Sequence, residues 1–185
     1  MRGALTPHLG PRDWQQQALV RRELAPVPEL ARVGHGHLGV DLLQCHLPVE
    51  VWGYYYKFAF VRHPLDRFVS ACFFLFRGDA AFAASPVSHM RAAMSRARFR
   101  ERVLIRPQSE LLVHANGDLG VDFVGRYERL EQDVALVGRQ IGVSELTLGR
   151  VNTSDHDSYD GYYDEKLLAL VEPFYAEDFE RFGYS

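Results

Sequence analysis

The stretch from Tyr54 to Gly78 constrains this chain more than any other. Residues 54–61 read YYYKFAFV, a run rich in aromatic side chains, which predicts a buried strand. Arg62 and His63 lead from it into Pro64, whose fixed φ and missing N–H suit the first turn of a helix. Asp66 falls in that turn, where the helix dipole favours a carboxylate. Apolar residues recur at Leu65, Phe68, Val69, Cys72, Phe73 and Phe76, the spacing of one helical face, and Gly78 supplies the stop. Strand, tight turn and helix in this order are the building unit of α/β layers around a parallel sheet.

The remaining pattern extends this unit. A short helix is predicted over 40–47, before Pro48, and Ala- and Arg-rich helical segments over 79–102. Val121 to Val124 reads as a second strand. The helix after it carries Leu130, Val134, Val137 and Ile141 on one face and stops at Gly142. The segment from Asp164 to Phe182 is helical in period, with a kink or break expected at Pro173. The expected fold is therefore a three-layer α/β domain with a parallel sheet of about four strands, over residues 33–185, after a weakly structured segment at 1–32.

Composition narrows the function classes. A chain of 185 residues that is 47% hydrophobic and 12% aromatic can build a core, and its net charge of −3 gives no reason to expect nucleic acid as partner. Lys57 and Lys166 are the only lysines, so an anion would be held mainly by arginine, hydroxyls or backbone N–H groups. Cys45 and Cys72 form no CxxC pair, and no apolar run reaches the ~20 residues of a membrane span. A cytoplasmic location is the expectation, without a membrane span in this chain.

Two places could carry chemistry. Arg62 sits at the carboxyl end of a strand, where open α/β sheets bind ligands, and Ser70 lies two turns into the following helix. A guanidinium and a hydroxyl there can hold a phosphate dianion; equally, the arginine could cap the sheet edge and the serine satisfy helix backbone. The second place is GHGHLG at 34–39. Its glycines also spell GxGxxG, but ELARV before it is a poor strand, and no acidic residue follows near Lys57–Phe60, where a ribose-binding one belongs. His35 and His37, two apart, could bind a metal, yet no third ligand has suitable spacing. They could also be solvated loop residues, or a proton acceptor and its neighbour.

The segment from Arg62 to Ser70 resembles the 3′-phosphate-binding motif of sulfotransferases that use 3′-phosphoadenosine 5′-phosphosulfate (PAPS). Arg62, Pro64, Asp66, Arg67 and Ser70 match its pattern. The HGH tripeptide just before that strand is similar to the corresponding segment of the heparan sulfate 2-O-sulfotransferase group, and GRYERL at 125–130, VNTSDHDSY at 151–159 and the final DFERFGY follow in the family's order. The resemblance implies a P-loop-like fold and sulfuryl transfer from PAPS to a hydroxyl-bearing acceptor, most plausibly carbohydrate, with no metal. It assigns Arg62 and Ser70 to the nucleotide 3′-phosphate and Asn152 and Ser154, with His156, to the nucleotide loop. His37 becomes the base and His35 its helper.

One part of the family pattern has no counterpart. Its members begin with a strand and a Pro-Lys loop rich in Ser, Thr and Gly, whose backbone N–H groups and lysine hold the 5′-phosphosulfate. Residues 1–33 contain no lysine and no such cluster. The expectation is an incomplete domain, lacking its first strand and phosphate loop. A truncated enzyme and a degenerate, non-catalytic nucleotide-binding or interaction module on the same fold are the two explanations, of which truncation is preferred.

Overall fold

The computed structural model describes residues 5–10, 28–31, 33, 36–143, 146, 148 and 158–185. Among them the main elements are, in order, α1 (Val40–His46), α2 (Val49–Tyr54), β1 (Phe58–Val61), α3 (Pro64–Leu75), α4 (Ala80–Ala84), α5 (Pro86–Met94), α6 (Ala97–Arg100), α7 (Ser109–Leu112), β2 (Phe123–Arg126), α8 (Leu130–Gln140), α9 (Glu165–Phe174) and α10 (Ala176–Phe182). The chain divides into two compact units. Met1–Phe60 and Glu110–Gly149 form the first, and Val61–Ser109 and Arg150–Ser185 form the second. No described helix is long and apolar enough to cross a membrane.

In the first unit β1 and β2 pair as a small parallel sheet, the α/β arrangement expected, with two strands among the described residues where about four were predicted. The strands also begin later than their side chains suggest. Tyr54 ends α2, and both Tyr54 and Tyr55 are exposed. The physical reason is Lys57. Its backbone N–H donates to Asp122 Oδ2 at 2.7 Å, and its ammonium lies 3.0 Å from the same oxygen. The ammonium also donates to the carbonyls of Trp52 and Tyr55, at 3.2 and 3.0 Å, closing the end of α2. This tie sets both strand starts, so β2 follows Asp122 instead of beginning at Val121. The Lys57 N–H, before its ammonium, lowers the Asp122 carboxyl below its ordinary value. The stabilisation is therefore present above the ordinary carboxylate range and fades as acid protonates Asp122.

Close backbone approach holds α8 on the sheet. A Cβ at Gly125 in β2 would lie 2.5 Å from the Phe60 ring and 3.1 Å from Asp133 Cβ, so only glycine fits. Val134 and Val137 are buried as the helical stripe predicts, and Gly142 takes φ +74° after the helix. The stripe also carries a buried carboxylate, Asp133, which accepts from Arg126 N at 2.7 Å and Arg129 Nε at 2.9 Å.

The second unit is built on α3. Phe68, Val69 and Cys72 are fully buried, in one core with Phe82, Met90, Met94, Phe99, Ile105, Leu167, Val171 and Tyr175. Each large side chain buried there contributes about 1.5–3 kcal/mol. Gly78, at φ +81°, ends the helical run as expected, and Asp79 caps α4 by accepting from Ala81 N and Phe82 N. Asp164 caps α9 through Leu167 N. The helical tail breaks two residues beyond Pro173, at Tyr175. The Tyr175 ring is buried there, and its hydroxyl donates to Ile105 O at 2.5 Å.

The two thiols should behave differently. Burial pushes the Cys72 thiol far above its ordinary value, whereas Cys45 is exposed. A disulfide reagent at about pH 8 is expected to titrate one thiol in the native chain, Cys45, and the second only on unfolding, because the thiolate is the reactive form. Two thiols reacting at similar rates before unfolding would contradict this packing of α3.

Candidate functional site

Arg62 lies where the strand hands over to α3, and its surroundings are built from three distant parts of the second unit. Val61 is buried, and Pro64 opens the helix with Arg67 N donating to His63 O at 2.9 Å. The Arg62 backbone is held on both sides by one side chain. Its N–H donates to Gln108 Oε1, and its carbonyl accepts from Gln108 Nε2, each at 2.9 Å. The amide thus pairs with Arg62 as a neighbouring strand would.

Gln108 is fixed in turn by Asp178, on α10. Asp178 is fully buried. Its Oδ2 accepts from Gln108 N at 2.8 Å and from Gln108 Nε2 at 3.4 Å, and its Oδ1 accepts from Ser109 N at 2.7 Å. A buried carboxylate satisfied by amide donors tolerates burial and holds its partners tightly.

The guanidinium of Arg62 is oriented by α3 itself. Nε donates to Asp66 Oδ2 at 2.5 Å and Nη2 to Asp66 Oδ1 at 2.7 Å, a bidentate clasp between half-buried groups. Asp66 therefore does more than complement the helix dipole. Ser70, also half-buried, is four residues on from Asp66 and shares its face of the helix. The guanidinium is thereby held on Asp66, which lies one helical turn ahead of Ser70. Arg67 is committed elsewhere, donating to Arg106 O at 2.9 Å. His63 packs into an aromatic cluster, stacked on Tyr159 at 5.1 Å and edge-on to Phe179 and Tyr184. Tyr163 braces the start of α3, its hydroxyl donating to Leu65 O at 2.9 Å, and burial pushes that phenol far above its ordinary value.

Of the residues singled out in the sequence, Arg62 lies just ahead of α3 and Ser70 within it, both in the second unit. His37 is exposed in the irregular segment 36–39 ahead of α1, in the first unit. His35, Asn152, Ser154 and His156 lie outside the described residues. Among the described residues no group of three or more His, Cys, Asp or Glu side chains could hold a metal ion.

Gln108 and Asp178 were not legible as site residues, although one signal pointed to Asp178. Val171, Tyr175, Asp178 and Phe182 follow helical spacing and are all buried, so an acid sits on an apolar face. An acid in such a register needs donors from another segment.

Residues 46–102, which include β1, α3 and the Arg62–Ser70 segment, match the model described as Sulfotransferase family. This supports the sulfotransferase superfamily. A protein of Archaeoglobus fulgidus described as an uncharacterized protein is 49% identical over 39 residues, covering 21% of this chain. The chain matches 32% of that relative's length. No solved structure matches.

Proposed function

We propose that this chain carries the nucleotide 3′-phosphate clamp and the acceptor side of a PAPS-dependent sulfotransferase. The observation that carries the reading is Arg62. Asp66 and Gln108 pre-orient it at the end of β1, on the same side of α3 as Ser70, inside the segment that matches the family. In this reading the Arg62 guanidinium and the Ser70 hydroxyl bind the 3′-phosphate, with Asn152 and Ser154 approaching the nucleotide. No residue of this chain is assigned to the 5′-phosphosulfate.

The reaction has a simple balance. An acceptor hydroxyl oxygen, on carbohydrate in this reading, bonds to sulfur while the bond from sulfur to the phosphate oxygen breaks. The sulfate ester and 3′-phosphoadenosine 5′-phosphate are the products. The hydroxyl proton passes to His37, with His35 assisting. Proton transfer and charge stabilisation suffice for this step without a metal.

The test compares two ligands. Arg62→Ala should weaken 3′-phosphoadenosine 5′-phosphate by about 1.5–3 kcal/mol, the worth of a hydrogen bond to a charged group. Adenosine 5′-phosphosulfate, which has no 3′-phosphate, should be nearly unaffected in calorimetry. Arg62→Lys keeps the charge but loses the planar fork, and should recover only part of the affinity. Equal losses for the two nucleotides would remove Arg62 from the 3′-phosphate.

A further inference from the structure

The first unit contains a carboxylate–imidazole pair that the nucleotide clamp does not use. His114 Nδ1 lies 2.5 Å from Asp41 Oδ1, and the other carboxylate oxygen, Oδ2, accepts from Ala115 N at 3.1 Å. With Asp41 accepting at Oδ1, the proton of a neutral His114 belongs on Nδ1, which leaves the Nε2 lone pair available. The ring is mostly enclosed, with its side chain 16% exposed. Nε2 has no hydrogen bond among the described residues and is not one of their fully buried, unpartnered polar atoms, so it retains some accessible surface.

The support beneath the pair is a hydrogen-bonded turn. His114 begins a tight hairpin in which its N–H donates to Asp118 O and its carbonyl accepts from Gly117 N, each at 2.8 Å. Val113 bridges Leu119, and Gly117 takes φ +91° at the turn. A Cβ at Gly120 would come within 2.8 Å of His114 Nε2, so glycine leaves room for the ring. Trp52 meets the imidazole edge-on at 6.1 Å between centroids, and the Lys57 ammonium lies 5.4 Å from the centroid of the same indole. His46, by contrast, is bonded to a carbonyl of its own helix, and His89 lies 3.9 Å from Asp79.

The pair also neighbours the segment that bears His37. Gly39 approaches Leu111, Val40 faces Gly120, and Asp41 is four residues after His37 on the same stretch of chain. His37 is thus tethered within ~14 Å of Asp41 along the chain.

We propose that Asp41 and His114 form a proton-accepting pair that works with His37 at the acceptor hydroxyl. This rests on the sulfotransferase reading for the identity of the hydroxyl. As the hydroxyl oxygen bonds to sulfur its O–H bond breaks and the proton passes to His37, from which His114 Nε2 takes it up in turn. Asp41, a positioning residue, holds the tautomer and stabilises the imidazolium that forms.

Two measurements test it. The first needs no turnover: brief treatment of the native chain with diethyl pyrocarbonate, with modified histidines located by mass spectrometry. His114 should be carbethoxylated in the folded wild type and several-fold more slowly in Asp41→Asn. A protected His114, or a rate indifferent to Asp41, overturns the proposal. The second is steady-state transfer with a 5′-phosphosulfate loop supplied ahead of residue 1. His114→Ala should lower kcat by about 10²-fold or more with little change in the nucleotide KM, and added imidazole should restore part of it. Unchanged kcat, or a loss without imidazole rescue, overturns the catalytic role. A wild type that binds no 3′-phosphoadenosine 5′-phosphate and transfers nothing overturns the sulfotransferase reading instead. The modification rates then decide by themselves whether Asp41 holds His114 as a base.

Discussion

Replacing Asp178 with alanine is expected to lower the unfolding free energy by about 2–6 kcal/mol, the cost of leaving two buried donors without an acceptor. Asp178 is fully buried and accepts from Gln108 N, Ser109 N and the Gln108 amide. Alanine leaves two backbone N–H groups without an acceptor, each costing about 1–3 kcal/mol. Asparagine at the same position would keep one acceptor oxygen, so Asp178→Asn should lose roughly half as much. Urea unfolding followed by circular dichroism measures both, with an unchanged m-value showing that stability alone has moved. Because Gln108 holds the Arg62 backbone, any folded Asp178→Ala protein should also bind 3′-phosphoadenosine 5′-phosphate more weakly. A stability change below about 1 kcal/mol would show that the 108–109 segment finds other acceptors.

The second large effect concerns His37. With a 5′-phosphosulfate loop supplied ahead of residue 1, His37→Ala should lower kcat by about 10²–10⁴-fold, the usual contribution of a general base. Nucleotide affinity should change little, because the base touches the acceptor proton in the transition state and not the nucleotide. His35→Ala should lose less if it only orients its neighbour. The wild-type rate should rise with pH as imidazole loses its proton and then level off. Full turnover in His37→Ala, or damage confined to His35→Ala, would reverse the assignment of the two histidines.

Much of the local structure was legible beforehand, for identifiable reasons. The helix after Pro64 and its stops were readable because periodicity and turn chemistry act over a few residues. The buried trio Phe68, Val69 and Cys72 follows directly from that spacing. Errors came where a distant partner overrode local preference. The tyrosines at 54 and 55 favour a strand, yet the Lys57–Asp122 tie ends a helix there and starts the strand at Phe58. The break expected at Pro173 falls at Tyr175, whose hydroxyl bonds to Ile105.

The candidate site divides along the same line. The sequence by itself determined the order strand, Arg-x-Pro and helix, and with it the placing of Arg62 at a strand end and Ser70 two turns on. It also determined that no lysine-bearing phosphate loop occurs in residues 1–33. Only the tertiary structure decided what orients these groups. Gln108 reaches Arg62 across 46 residues, Asp178 reaches Gln108 across 70, and Asp41 reaches His114 across 73. Such pairings leave no periodic trace, because each is a small set of polar contacts formed when separate segments pack. Burial then makes the Gln108 and Asp178 contacts strong, since a carboxylate or amide removed from water must find its donors in whatever chain folds against it.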